Sequence, residues 1–319
     1  MTNMEILLPF ALPPSEHAKD LLLQLQAPAL ARLLSSAKAT SQSVQENFAR
    51  QLPHEQWLSK TTHASSPPLA RAAMAMLNLP TDQGLWFIVQ PASLHIARDH
   101  LVLTDLRQLE LSDTESRSLF DAALPYFTES GFTLCYGCAS HWFMRADTWQ
   151  GMQCSTPDAA CGHNIDIWLP TGEKERDWRR LHNELQMLWH THPVNDAREA
   201  RGARRINAAW LWGQSATEAE AQQTGLQTLA ALSLQAPATS ALIPELIAPA
   251  LAGDWSQWLQ AFAQAEQEQL APALQLLSDG KLDTITLVLT DSQRLMQWHI
   301  SRNALRKFWI KPSLKRLAS

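Results

Sequence analysis

Apolar and polar positions alternate along the chain in runs whose spacing and punctuation mark out its elements. Met4 to Leu8 (MEILL) is a short apolar run closed by Pro9, Pro13 and Pro14, and it predicts a first buried strand. Ser15 is placed to cap a helix carrying Leu21, Leu22 and Leu25, and Pro28 opens another with Leu30, Leu33 and Leu34. Residues 35–47 are rich in Ser and Gln and read as a surface connection. Phe48, Leu52, Trp57 and Leu58 suggest a short helix, and Ser65-Ser66-Pro67-Pro68 precede an Ala/Met-rich helix through Leu77.

Residues 84–146 form a distinct block. Trp86–Val89, Leu101–Thr104, Phe132–Cys135 and Trp142–Arg145 read as strands. Ser112 with Glu115 three residues on has capping-box spacing, opening a helix that carries Leu119, Ala122, Ala123 and Phe127. The order ββαββ predicts an α+β subdomain with an antiparallel sheet. A further strand is expected at Ile165–Leu169, ended by Pro170.

The chain then reaches its most informative stretch, His182 to Gln214. Leu185, Leu188 and Trp189 share one face of a long helix expected from Glu173 to Trp189. Pro193 biases His192 away from the α region and ends that helix, Gly202 permits a turn, and Ala208–Trp212 is an uncharged strand buried on both faces. Leu226–Leu234 fits strand or helix equally. Trp255–Leu277 is a second long helix ended by Gly280, and Thr284–Leu289 with Leu295–Ile300 form a final hairpin.

With 319 residues the chain suffices for one large domain or two modest ones, and 13 Trp against 2 Tyr imply many large core anchors. The net charge of −5 and the lack of any helix-turn-helix pattern argue against direct nucleic-acid binding. No apolar run reaches transmembrane length and residues 1–14 lack a secretory pattern, so the expectation is a cytoplasmic protein without membrane contact. Basic residues cluster only at Arg198–Arg205 and Arg302–Arg316; the tail Lys307–Arg316 reads first as a solvated end and otherwise as a place to hold an acidic partner.

Candidate chemistry is concentrated in the same stretch. Arg198 and Arg201 are three apart and would face the same way on a helical turn, a natural clamp for phosphate or carboxylate. His192, Asn195, Arg198, Arg201 and Asn207 would bind a small anionic ligand, or hold the sheet edge in shape. His190 and His192 are too close in sequence to share a helix face, and no HExxH spacing is present. Cys135 and Cys138 have CxxC spacing, with Cys154, Cys161 and His163 following: zinc ligands or idle thiols. Nucleophile elbows, Walker loops and dinucleotide loops are absent. Ser65 or Ser66 stands where a helix begins, as an N-cap or a vestigial nucleophile.

His192-Pro193-Val194-Asn195, then Arg198, Gly202, Asn207 and Trp210-Leu211-Trp212-Gly213, resemble a motif of archaeal-type cofactor-independent phosphoglycerate mutases, with Arg205-Ile206 where that family has Pro-Ala. Leu7–Pro14 (LPFALPP after Leu7) and Leu52–Leu58 (LPHEQWL) are similar to the RpfE-type regulatory proteins of proteobacteria, relatives of that family, over most of the chain. The resemblance implies an alkaline-phosphatase-like α/β core with a mostly parallel sheet flanked by helices, formed by residues 1–83 and 147–319, and a small α+β insert at 84–146. It also implies two divalent metals, manganese or magnesium, held by Asp and His around a Ser or Thr nucleophile. The sequence departs from that pattern: Pro9-Phe10-Ala11 stand where the family has Asp-Gly, and Ala27-Pro28-Ala29-Leu30 replace a TPNLD-like segment. Only Asp254, Asp279, Asp283, Asp291 and His299 are offered as later ligands, and no Asp-His pair follows Asp99-His100. The expectation is therefore a catalytically degenerate, regulatory or ligand-binding protein with no cofactor; the alternative is an active metal-dependent mutase or related phosphotransferase.

Overall fold

The computed structural model describes residues 2–59, 69–216, 240–306 and 309–318. Ser65, Ser66 and Leu226–Leu234 lie outside the described residues. In chain order the elements begin with β1 (Asn3–Leu8), α1 (Ala18–Gln24), α2 (Pro28–Ser36), β2 (Lys38–Val44), α3 (Pro53–Ser59) and α4 (Ala70–Met76). There follow β3 (Trp86–Ala92), β4 (Leu94–Ala97), β5 (His100–Leu103), α5 (Asp113–Glu129), β6 (Thr133–Cys138) and β7 (His141–Arg145). Next come α6 (Pro157–Ala160), α7 (Glu175–His190), α8 (Pro193–Ala200) and β8 (Ala208–Ser215). The last are β9 (Ser240–Leu242), α9 (Ile247–Ala252), α10 (Trp255–Ala265), α11 (Ala271–Ser278), β10 (Thr284–Thr290) and β11 (Arg294–Ser301). No helix among the described residues is long and apolar enough to cross a membrane.

These elements divide into two compact units. One comprises residues 1–47, 53–57 and 230–319, the other residues 48–52 and 58–229. The first unit holds a five-stranded sheet in the order β2-β11-β10-β1-β9. β1 is parallel to both neighbours, with Ile6 opposite Leu287 and Ala241, while β10–β11 and β11–β2 are antiparallel. The sheet is thus mixed, not mostly parallel: the tight turn at Asp291 forces β11 back along β10, since a parallel return needs a crossover. The apolar MEILL run supplies Ile6, Leu7 and Leu8, buried on both faces as a central strand requires.

Helix α2 and the α10–α11 pair supply much of the helical core, through Leu30, Leu33, Leu34, Trp258, Phe262, Leu270 and Leu277, all essentially inaccessible. The long helix is continuous in sequence but widens to a π turn at Glu266–Leu270. Pro272 follows, and a proline inside a helix removes one N–H and crowds the carbonyl four residues back, which a widened turn relieves. Glu266 in that turn accepts the N–H groups of Ala29 and Leu30, capping α2, whose own N-cap Ala27 has no side-chain oxygen. The segment 35–47, expected as a connection, contains edge strand β2. All seven of its residues are exposed, so no apolar alternation marked it.

The second unit carries an antiparallel sheet in the order β6-β7-β3-β8 and a β4–β5 hairpin. It takes in the 84–146 block and continues well past it, because β8 is paired antiparallel to β3 along its length. β8 is buried, as its uncharged sequence predicts. Tryptophans build this core. Trp142 stands edge-on to Phe120 and Trp189, at 5.3 and 5.9 Å between ring centroids. Their indole N–H groups find acceptors: Trp142 donates to Ser116 Oγ, Trp189 to the Leu119 carbonyl and Trp210 to the Ser155 carbonyl. The strand expected at Ile165–Leu169 is instead a 3-10 turn at Ile165–Ile167. Asn164 initiates it by accepting the Asp166 N–H, a local bond that competes with extended pairing.

Candidate functional site

The basic turn begins where α7 stops. Trp178, Leu181, His182, Leu185 and Trp189 form the buried face of that helix. His192 is extended, as the following proline demands, and its Nδ1 accepts the Val194 N–H as the N-cap of α8. Pro193 takes the first helical position, where a missing N–H costs nothing.

From there each polar side chain is turned inward. Asn195 is completely buried; its Nδ2 donates to the carbonyls of Trp189 and Ile206, both at 2.7 Å, and its Oδ1 accepts the Ile206 N–H at 2.7 Å. One amide therefore ties the end of α7 to the approach of β8. Asn207 works like a strand residue, with Oδ1 accepting the Leu94 N–H at 2.7 Å and Nδ2 donating to the Leu94 carbonyl at 2.9 Å. Gly202, at φ +75°, reverses the chain between them.

Arg198 is also completely buried. Its Nε donates to the Arg204 carbonyl at 2.7 Å, Nη1 to Glu115 Oε2 at 3.0 Å and Nη2 to the Leu109 carbonyl. Arg201, half exposed, donates from Nη2 to Glu115 Oε1 at 2.7 Å. The two arginines do face one way and do clamp a carboxylate, but it is the chain's own. Glu115 also caps α5, accepting the Ser112 N–H at 3.1 Å. Burial pushes the Glu115 carboxyl up, yet the bonds from Ser112 and Arg201 and the charge of Arg198 outweigh it and hold the group below its ordinary value. Burial holds the His192 imidazole below its ordinary value against the pull of Asp196.

The carboxyl end of the parallel strands is where α/β sheets set their ligands. Beyond β1 the segment Pro9–Pro13 is apolar and buried throughout. Phe10 takes a positive φ of 55° and is pinned there by its neighbours: its N–H donates to Thr290 Oγ1 at 3.4 Å and its carbonyl accepts Trp258 Nε1 at 2.9 Å. Asp291, just past β10, is committed to the Arg294 guanidinium at 2.6 Å. Asp254 caps α10, Asp279 accepts Gln275 Nε2 and Asp283 accepts the Thr2 N–H. His299 is exposed in β11. These five do not converge.

Two residues not singled out for chemistry in the sequence do stand near β1's end. His54 and Glu55 are both buried on α3, their ligand atoms lie within 4.8 Å of each other, and the His54 ring packs edge-on to Phe10 at 5.9 Å. Their signal was the LPHEQWL segment, quoted for its resemblance alone. A pair could fill only two positions of a divalent cation's six.

The cysteines are free, and among the described residues no three of Cys135, Cys138, Cys154, Cys161 and His163 gather ligand atoms. Burial pushes the thiols of Cys154 and Cys161 up to about 12, so both stay protonated at neutral pH.

No family model matches the sequence, and no curated protein matches it either. The structure is similar to that of the PH0037 protein from Pyrococcus horikoshii, with a TM-score of 0.51 at 10% identity, covering 94% of this chain and 88% of that one. A cofactor-independent phosphoglycerate mutase from Thermoplasma acidophilum DSM 1728 aligns with a TM-score of 0.42 at 13% identity, covering 99% and 94%. The first likeness establishes a shared fold and nothing about activity.

Proposed function

We propose that this chain is a catalytically degenerate relative of the cofactor-independent phosphoglycerate mutases, built on an alkaline-phosphatase-like core and acting as a cytoplasmic regulatory protein. The observation that carries the reading is the end of β1. The resembled family has an Asp-Gly there, and Pro9–Pro13 offer no carboxylate and no hydroxyl. Without metals a serine hydroxyl has nothing to lower its pKa, so Ser65 and Ser66 would be poor nucleophiles. The basic turn supports the same reading from another side. His192, Asn195, Arg198, Arg201 and Asn207 keep the motif while their polar groups serve the fold, with Glu115 seated between Arg198 and Arg201.

A second reading, an active phosphotransferase using manganese or magnesium, is favoured by one observation, the buried His54–Glu55 pair. A coupled assay for conversion of 3-phosphoglycerate to 2-phosphoglycerate, with each metal in excess, separates the two. The degenerate reading expects no turnover in folded protein. Turnover that is lost in a Ser65→Ala/Ser66→Ala double variant, or in His54→Ala, establishes the enzyme instead.

A further inference from the structure

Strand β2 forms one outer edge of the five-stranded sheet, and every one of its residues from Lys38 to Val44 is exposed. Among the described residues it pairs with β11 alone. The register sets Ser43 opposite Leu295 and Ser41 opposite Gln297, and the ladder runs on to Gln45, whose N–H donates to the Gln293 carbonyl at 2.8 Å. In an antiparallel pair the backbone groups of alternate residues turn to the two sides of a strand. Gln45, Ser43 and Ser41 therefore turn theirs to β11, and Val44 and Gln42 turn theirs outward. The register shifts between Gln297 and Trp298, so Thr40 has no opposite residue and the regular stretch ends there. An edge of outward N–H and C=O groups is a template for another strand, and charges or prolines along it are what usually block such pairing. Between Lys38 and Glu46 there is neither.

The charges at the two ends of this stretch say which strand fits it. Lys38 and Glu46 are both exposed, and neither forms an ion pair among the described residues. Gln42 lies midway between them, four residues from each. A second copy of β2 laid antiparallel about a two-fold axis through Gln42 meets the first with Ser41 against Ser43. Each Lys38 then faces Glu46 of the other copy. We infer that two copies of this chain associate through β2, joining their sheets edge to edge. A parallel pairing in register would set Lys38 against Lys38, and a slip of two residues would pull both ion pairs apart. The end charges thus fix a direction and a register that the polar side chains between them leave open. A stretch complementary to its own reverse selects a second copy over a foreign strand, and a self-complementary two-fold contact is the commonest way for identical chains to meet. The contact uses neither the basic turn nor the end of β1, so it is independent of any turnover.

The test is sedimentation equilibrium of the full chain from about 1 to about 200 µM, a range that covers small polar contacts between proteins. The expected result is a monomer–dimer equilibrium, with most of the chain dimeric at about 200 µM. Lys38→Glu sets like charges against each other twice across the axis, so the dissociation constant should rise about tenfold or more. Adding Glu46→Lys to that variant restores opposite signs and should bring the constant back to within about threefold of the parent. Gln42→Pro removes an outward N–H and spares the pairing with β11; it should abolish the dimer and leave the Tm of the dilute chain unchanged. The two charge variants alter exposed side chains only, so they decide the matter even where the proline is not tolerated. A chain that is monomeric at about 200 µM overturns the inference. So does a dimer that is indifferent to Lys38→Glu, or one that Glu46→Lys does not restore. Masses that climb past the dimer overturn it as well, because a two-fold contact closes.

Discussion

The basic turn of the second unit and the carboxyl end of β1 in the first unit invert each other. The turn is crowded with arginine, asparagine and histidine, the residue types that bind anions, and their polar groups are engaged within the chain. The end of β1 lies where an α/β sheet receives its ligand, and it is filled by Pro9–Pro13. Residue type marks a site only when donors and acceptors are left over. Arg198 has a carboxylate and two carbonyls to satisfy, and that is a structural assignment whatever motif it belongs to.

The largest test of the contrast is Arg198→Ala. It leaves Glu115 partly unpaired and two carbonyls without a donor, so unfolding in urea should show a loss of about 3–5 kcal/mol. A loss under about 1 kcal/mol would mean that the bonds are optional and the arginine is kept for a ligand.

The next test is pH. His182 on α7 is buried, its Nε2 meets no partner among the described residues, and burial pushes its pKa down to about 4. The unfolded chain takes up that proton near 6.5, so the contribution is complete above 6.5 and is lost as pH falls from 6.5 to about 4. It amounts to roughly 3 kcal/mol at most. Glu115 acts in the same direction lower down: its depressed carboxyl contributes stability above its ordinary value of 4.5 that is lost below it. Stability measured across this range should fall toward acid, and His182→Leu should flatten the upper part of the fall. A slope unchanged by that substitution would remove His182 from the account.

The smallest effect is expected at Arg201→Ala. The guanidinium is half exposed and holds one Glu115 oxygen, so the loss should be about 0.5 kcal/mol. The difference between Arg198 and Arg201, two ends of one apparent clamp, is the sharpest form of the comparison.

Much of this arrangement is legible in the sequence wherever one physical cause dominates. Pro193, the Ser112–Glu115 capping box and the uncharged run Ala208–Trp212 each fix their element, because sterics, capping and burial act locally. What is not legible is pairing. Nothing near β8 says that it joins β3 antiparallel, and nothing in Arg198 and Arg201 says that Glu115, some eighty residues earlier, fills the space between them. Strand β2 escaped because an edge strand exposed on both faces has no hydrophobic period to read. His54 and Glu55 escaped because their spacing matches no known ligand motif, and only folding brings them beside Phe10.

The most direct test of the claim that the basic turn serves the fold is a thermal-shift titration of the intact chain with 3-phosphoglycerate and inorganic phosphate. A ligand at ten times its Kd adds about 1.4 kcal/mol, a readable rise in Tm. No rise is expected for either ligand. A rise that disappears in Arg201→Ala, the exposed member of the pair, would contradict it and make the turn a binding site.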